Sequence, residues 1–139
     1  MRLIIKTISV AIVGLFVANA WALDPVSLEK QYASDAKQTA SSSRGEKFFT
    51  SKQGKEWSCA SCHGVPPTKE GKHASTDKSI SPLAPAFNSK RFTDEAKVNK
   101  WFKRNCNDVL GRECSSLEKA DVMVIGIRIL QMGHRILHI

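Results

Sequence analysis

The chain is sparing with the residues that build most metal and redox sites. It has four cysteines in 139 residues. Two form one CxxC, and the others, Cys106 and Cys114, belong to no second CxxC. A structural zinc site needs about four protein ligands, so that class is set aside. No βαβ pattern surrounds the CxxC, which excludes a thioredoxin-type pair. Long apolar runs are missing too. Ile8 to Val17 is too short to span a bilayer, which takes about 20 residues. Acidic residues are outnumbered, 13 against 21 Lys and Arg. Methionine is absent from Gly64 to Val122, so the middle of the chain offers no thioether ligand.

What is present centres on Cys59-Ala60-Ser61-Cys62-His63. Two cysteines two residues apart, followed at once by histidine, form the attachment signature of a c-type haem. Each thiol adds across one porphyrin vinyl group, and the spacer lets both reach along one turn. The next residue then offers its imidazole to the iron as proximal ligand. One such motif predicts one covalent haem c, held by Cys59 and Cys62 with His63 on the metal.

The N-terminus sets the compartment. Arg2 and Lys6 precede the apolar stretch, and small residues follow at Ala18-Asn19-Ala20 and Ala20-Trp21-Ala22. This reads as a secretory signal peptide, residues 1–22, cleaved after Ala22 or alternatively after Ala20. The remaining 23–139 suits one domain with no membrane span. Export to the periplasm fits a haem that is attached outside the cytoplasm, and it permits a disulfide between Cys106 and Cys114. Free thiols are the other state open to that pair. Without its leader the chain holds 19 basic and 13 acidic residues. Such a surface suits an acidic redox protein rather than nucleic acid, although a basic surface can also serve solubility alone.

Asp24-Pro25 is a helix start, an N-cap followed by proline at the first position. The stripe after it (Val26, Leu28, Tyr32, Ala36) is weak, so a short surface helix is expected. Thr39 to Ser43 reads as linker, and helical character resumes at Arg44-Gly45-Glu46-Lys47-Phe48-Phe49. Gly64 to Lys78 is rich in Pro, Gly, Thr, Ser and Lys and reads as loop, with His73 as a solvated loop histidine. Thr93 or Asp94 caps the next helix, whose apolar positions Val98, Trp101 and Phe102 define one buried stripe. Seven steps on, within about 20° of Val98, comes Asn105, while Asn107 falls on the opposite face. Asn105 is therefore expected to point inward. A buried amide needs partners; a haem iron, or a ligand bound to it, is one candidate, and a capping role near the helix end is another. Ser116 to Asp121 opens a final helix in which Gly126 is a weak spot. His134 and His138, four residues apart near the terminus, read as tail.

Several segments resemble the sphaeroides haem protein (SHP) type of cytochrome c, of the class I superfamily. They are Cys59-Ala60-Ser61-Cys62-His63, Pro82-Leu83-Ala84-Pro85, Arg91-Phe92-Thr93-Asp94, Arg104-Asn105-Cys106-Asn107 and Glu118-Lys119-Ala120-Asp121. The resemblance covers roughly residues 25 to 125. It implies an all-α class I cytochrome c fold, a small helical domain around one haem. Gly45 would then allow a close crossing with the C-terminal helix, and an aromatic beside it would pack near the haem edge. Ile80-Ser81-Pro82-Leu83-Ala84-Pro85 would be the proline-containing loop over the proximal histidine, with a backbone carbonyl there accepting the imidazole N–H of His63; a generic proline turn is the other reading of that stretch. Asn105 would be the sixth ligand of the oxidised iron, leaving on reduction to admit a diatomic gas such as O2 or NO. Cys106 and Cys114 would form a disulfide beside it, and a dihaem cytochrome c would be the electron donor. Class I cytochromes usually supply a methionine from the stretch that lacks it here. Two rival functions follow: a plain electron carrier ligated by Met123 or Met132, and a haem-based gas sensor or scavenger without a redox partner. The tail from Ile127 departs from the usual ending, which leaves the packing of the last helix on Gly45 to the structure.

Overall fold

The computed structural model describes residues 23–136. The expected signal peptide, residues 1–22, and His138 lie outside the described residues, as do the side chains of Met132 and His134. Five helices and one small two-stranded sheet follow in order: α1 (Pro25–Asp35), α2 (Ser42–Thr50), α3 (Cys59–His63), β1 (Gly71–Lys72), β2 (Ser79–Ile80), α4 (Glu95–Leu110) and α5 (Ser116–Ile136). Among the described residues no helix is long and apolar enough to cross a membrane.

Local side chains set the helix boundaries. Asp24 accepts from the Ser27 N–H at 3.1 Å, with Pro25 at the first helical position. Ser41 accepts from the Arg44 N–H at 3.4 Å, so Ser42 and Ser43 belong to α2 and the expected linker is shorter. Asp94, not Thr93, caps α4, accepting from the Lys97 N–H at 3.0 Å. Gly111 ends α4 at φ 73°, the left-handed conformation that glycine adopts without strain. At the start of α5, Ser115 and Glu118 form reciprocal bonds of 3.3 and 2.8 Å, a capping box.

Helix α5 is the axis, with α1 and α2 packed along it. The expectation that α1 lies on the surface is corrected. Leu28 (0 % exposed) and Tyr32 (4 %) are core residues, because two large side chains four apart suffice to bury one face. The Tyr32 hydroxyl donates to Asn99 Oδ1 at 2.9 Å, and the Lys119 ammonium donates to the same oxygen at 2.9 Å, tying α1, α4 and α5 together. Burial pushes the Tyr32 hydroxyl up to about 12.

The α2–α5 crossing is close. A Cβ on Gly45 would lie 2.1 Å from the Asp121 carbonyl oxygen, so only glycine fits. The neighbouring Arg44 reaches over to the buried Asp121 carboxylate, bonding it at 2.5 and 2.9 Å, and the Ser41 N–H adds a third bond at 2.7 Å. A buried carboxylate is tolerable because cation and N–H satisfy both oxygens. Gly126 does not interrupt α5. It is buried where Ala84 and Pro85 approach, with Pro85 Cδ 3.3 Å from where a Cβ would sit.

The 64–78 stretch is not all loop. Gly71 pairs with Ile80 and Lys72 with Ser79 in an antiparallel ribbon. Gly71 lies so near α3 that a Cβ there would meet the Cys62 carbonyl oxygen at 2.0 Å.

Candidate functional site

Helix α3 is one short turn held by serines. The Ser58 N–H donates to Ser61 Oγ at 3.0 Å, and the two hydroxyls are 3.2 Å apart. That turn presents Cys59 and Cys62, both free thiols and both half-buried. Burial pushes the Cys59 thiol up to about 11, so it is protonated near neutral pH. Cys62 Sγ accepts from the Ala74 N–H at 3.3 Å, so the β1–β2 ribbon docks on the motif as well as beside it.

His63 closes the turn. Burial, with a smaller contribution from the Arg91 charge, lowers its imidazole to about 4, so the ring is neutral and its lone pair is free for a metal. The Phe49 ring lies 6.3 Å from it, tilted by 37°. The family resemblance had placed an aromatic of α2 near the haem, and Phe49 is the α2 ring that lies beside the imidazole.

The 81–85 loop is drawn in by Pro67, whose carbonyl accepts from the Leu83 and Ala84 N–H groups at 3.2 and 3.0 Å. Among the described residues the loop makes no hydrogen bond to the His63 imidazole. The Pro82 carbonyl accepts instead from Arg91 Nε at 2.8 Å and Asn88 Nδ2 at 3.4 Å, and Arg91 Nη2 takes the Ser81 carbonyl at 2.7 Å. Sequence reasoning had no role for Arg91. Its contacts depend on the turn at Phe92, whose φ of 62° no spacing rule foretells. The imidazole of His73, near the ribbon turn, is partly exposed and bonded locally to Ser75 Oγ at 3.2 Å.

Helix α4 carries Asn105. Its buried residues are Val98, Phe102, Cys106 and Val109, a stripe whose centre lies about 55° from Asn105 at 100° per residue. The expected inward placement is therefore corrected. Asn105 sits exposed on the flank of the stripe, with Trp101 one turn before it. Trp101 is 43 % exposed rather than core, and the Arg104 guanidinium lies over its ring at 5.2 Å. Asn107 is committed elsewhere, since its Nδ2 donates to the Lys103 carbonyl at 2.7 Å. The side chain of Asn105 has no hydrogen-bond partner among the described residues.

The next residue, Cys106, is bonded to Cys114, with sulfurs 1.97 Å apart and Cα atoms 5.6 Å apart. Between them Arg112 grips Glu118 through two bonds of 2.8 and 2.6 Å, which holds that carboxylate below its usual range. The end of α4 is thus clamped to the start of α5 by a covalent link and an ion pair. Met123, proposed above as a rival iron ligand, is fully buried in the hydrophobic core.

Two free thiols able to add to vinyl groups, and a neutral imidazole beside them able to ligate the metal, fit a covalently held porphyrin iron. They do not fit a bare cation, and no three His, Cys, Asp or Glu side chains converge among the described residues.

Comparison with known proteins agrees with this geometry. Residues 35–125 match a family described as a domain of unknown function (DUF1924). The cytochrome c-type protein SHP of Cereibacter sphaeroides is 45 % identical over 103 residues, which is 71 % of this chain and 79 % of that protein. A solved structure of oxidised SHP, described as an oxygen-binding cytochrome c, aligns with TM-score 0.69 and 42 % identity, covering 74 % of this chain and 95 % of the other. The solution structure of cytochrome c'' from Methylophilus methylotrophus aligns with TM-score 0.64 and 40 % identity, covering 74 % and 91 %. That structure is described as giving insight into haem-ligand detachment. The helical fold is theirs, and so is the cofactor, a covalently bound haem c with iron.

Proposed function

We propose, from the premise that this chain belongs to the family of SHP and cytochrome c'', that it is a periplasmic monohaem cytochrome that accepts electrons and binds a diatomic ligand, O2 or NO, at ferrous iron. The haem iron supplies the one-electron couple and the ligand affinity of its reduced state. Cys59 and Cys62 fix the porphyrin, and His63 holds one axial side. Asn105 holds the other side in the oxidised protein and lets go on reduction. One observation carries this reading: Asn105 has an uncommitted amide at the clamped end of α4, whereas the amide of Asn107 is occupied. The disulfide and the Arg112–Glu118 pair limit how far the helix end can travel, so release can come from the side chain alone. The family's two named members point the same way, one described as oxygen-binding and the other by its ligand detachment.

The test is an optical spectrum of the reduced protein. A five-coordinate, high-spin ferrous haem that takes up carbon monoxide on mixing is expected. A low-spin, methionine-type spectrum indifferent to carbon monoxide would refute the open site and favour a plain electron carrier, with Met123 pulled from the core or Met132 as ligand.

For the donor we propose a dihaem cytochrome c, or another redox protein with an acidic docking face. The excess of basic residues is the support, since opposite charges steer encounter. Electron transfer from such a donor should slow about tenfold or more between roughly 10 mM and 1 M salt, as the screening length shrinks from about 30 to 3 Å. A rate indifferent to salt would sink the steering idea and favour a gas sensor or scavenger with no such partner.

A further inference from the structure

The matched family ends at residue 125, but helix α5 runs on to Ile136. Ile127 is seated in the core at 6 % exposed, whereas Arg128 beside it is exposed. From there to Ile136 the helix continues for about 13 Å, at 1.5 Å per residue. The sequence of that stretch, Arg128-Ile129-Leu130-Gln131-Met132-Gly133-His134-Arg135-Ile136, is sorted by helix position. At 100° per residue Arg128, Gln131, His134 and Arg135 fall within an arc of about 120°. Ile129, Leu130, Met132 and Ile136 fall on the other side, with Gly133 among them. No acidic residue follows Asp121 in the sequence, so every charge on the polar arc is positive.

Where α5 leaves the core, the body does not close over the apolar side. Ile125 and Ile129, both half-buried, form one wall of an open groove of about 760 Å³ that also borders Phe49 of α2. Among the described lining residues Lys47 and Arg128 outnumber one carboxylate, Glu46. Arg128 bonds the Ser42 hydroxyl, which ties the start of the extension to α2.

An apolar side backed by a wholly cationic one suits the surface of an anionic bilayer, with apolar residues at the acyl boundary and cations among the headgroups. Spanning does not fit. The stretch of about 13 Å is far short of the roughly 30 Å hydrocarbon core, and an arginine at its centre is costly. A second copy fits poorly too. A two-stranded coil needs about three to four heptads and opposite charges beside its seam, and here little more than one heptad carries a single sign of charge.

We propose that α5 beyond Ile127 is a membrane-surface element, laying its apolar side on an anionic phospholipid bilayer with Arg128 and Arg135 at the headgroups. The proposal concerns where the cytochrome sits and does not rest on the open site at the iron.

The test mixes the holoprotein with phosphatidylcholine vesicles, with and without phosphatidylglycerol, and reads the bound fraction by co-sedimentation. Binding to the anionic vesicles should be at least about tenfold tighter than to the neutral ones, and it should weaken as salt rises. Arg128→Gln combined with Arg135→Gln should lower it about 25-fold, near fivefold for each arginine. Ile136→Ser, on the opposite side, should lower it about tenfold or more through lost apolar burial. Lys78→Gln combined with Lys90→Gln removes as much charge from exposed loop positions and should bind as the native protein does. Should loss of the Ser42 bond disturb α2, Arg135→Gln alone is read, with binding about fivefold weaker. Haem content and circular dichroism confirm folding, and neither depends on which ligand the iron holds. Equal binding to both kinds of vesicle, or binding to neither, overturns the proposal. So does an equal loss in the lysine control, which would make the basic surface as a whole responsible. A dimer in sedimentation equilibrium that Ile136→Ser dissociates would give the apolar side to a second copy, and that too overturns it.

Discussion

Asn105→Ala should leave haem attachment intact and abolish the sixth protein ligand of the oxidised iron. The amide oxygen is a hard, neutral, weak ligand, which suits ferric better than ferrous iron. Alanine removes it without touching Cys59, Cys62 or His63, all carried on α3. Small exogenous ligands of the ferric protein then no longer compete with the side chain. If the native amide occupies the iron about 99 % of the time, their apparent affinity should rise about 100-fold, by the arithmetic of a competing state. The reduced form should change far less, by no more than the about 1 kcal/mol that one hydrogen bond from the freed amide to a bound gas contributes. Asn107→Ala is the control. It loses a bond to the Lys103 carbonyl on the helix's own surface and should leave every spectrum as it was. Electron paramagnetic resonance and optical spectra of the ferric variants decide the matter. An unchanged ferric signal in Asn105→Ala would remove this residue from the iron.

Gly45→Ala should be the most damaging small substitution in the scaffold, costing more than about 3 kcal/mol by the overpacking and backbone displacement it forces. The added carbon would meet the Asp121 carbonyl oxygen at 2.1 Å and its carbon at 2.7 Å. Both are backbone atoms of a central helix, so the strain can be relieved only by moving α2 off α5. That movement also opens the bonds from Arg44 and Ser41 to the Asp121 carboxylate, which would leave a buried charge short of partners. The melting temperature of the holoprotein should fall by about 10 °C or more, at roughly 3–6 °C per kcal/mol for a domain of this size. Gly126→Ala is the informative comparison. Its nearest neighbour would be 3.3 Å away and is a proline side-chain carbon, and alanine gains about 1 kcal/mol of helix propensity over glycine. Its net effect should be within about 1 kcal/mol of zero. Equal melting of the Gly45→Ala and native proteins would show that the α2–α5 crossing has room for a Cβ, against this account.

The parts of this protein that were legible in its sequence are those where one short segment contains the whole physical cause. Cys59 to His63 needs only its own spacing to present two thiols and an imidazole on one turn. Asp24-Pro25 and Asp94 cap helices through bonds that reach three residues. Gly45 was legible through resemblance, since a glycine before paired aromatics matches a known crossing. The failures share a cause as well. A helical stripe seeded by Val98, Trp101 and Phe102 has the right period, but a seed of three residues leaves its centre free by tens of degrees. In the fold Cys106 and Val109 turn in while Trp101 and Asn105 lie on the flank, with Phe102 packed edge-on against Tyr32 of α1. Strands of two residues are too short for any alternation, so the ribbon at Gly71 and Ile80 emerges only when Gly71 meets the Cys62 carbonyl. The Pro82 carbonyl could have served His63 or Arg91, and chemistry in the sequence favours neither. Tertiary structure assigned it to Arg91 because the turn at Phe92 carries that guanidinium back onto the loop, and a hydrogen bond between distant segments goes to the donor that the fold brings within 3 Å.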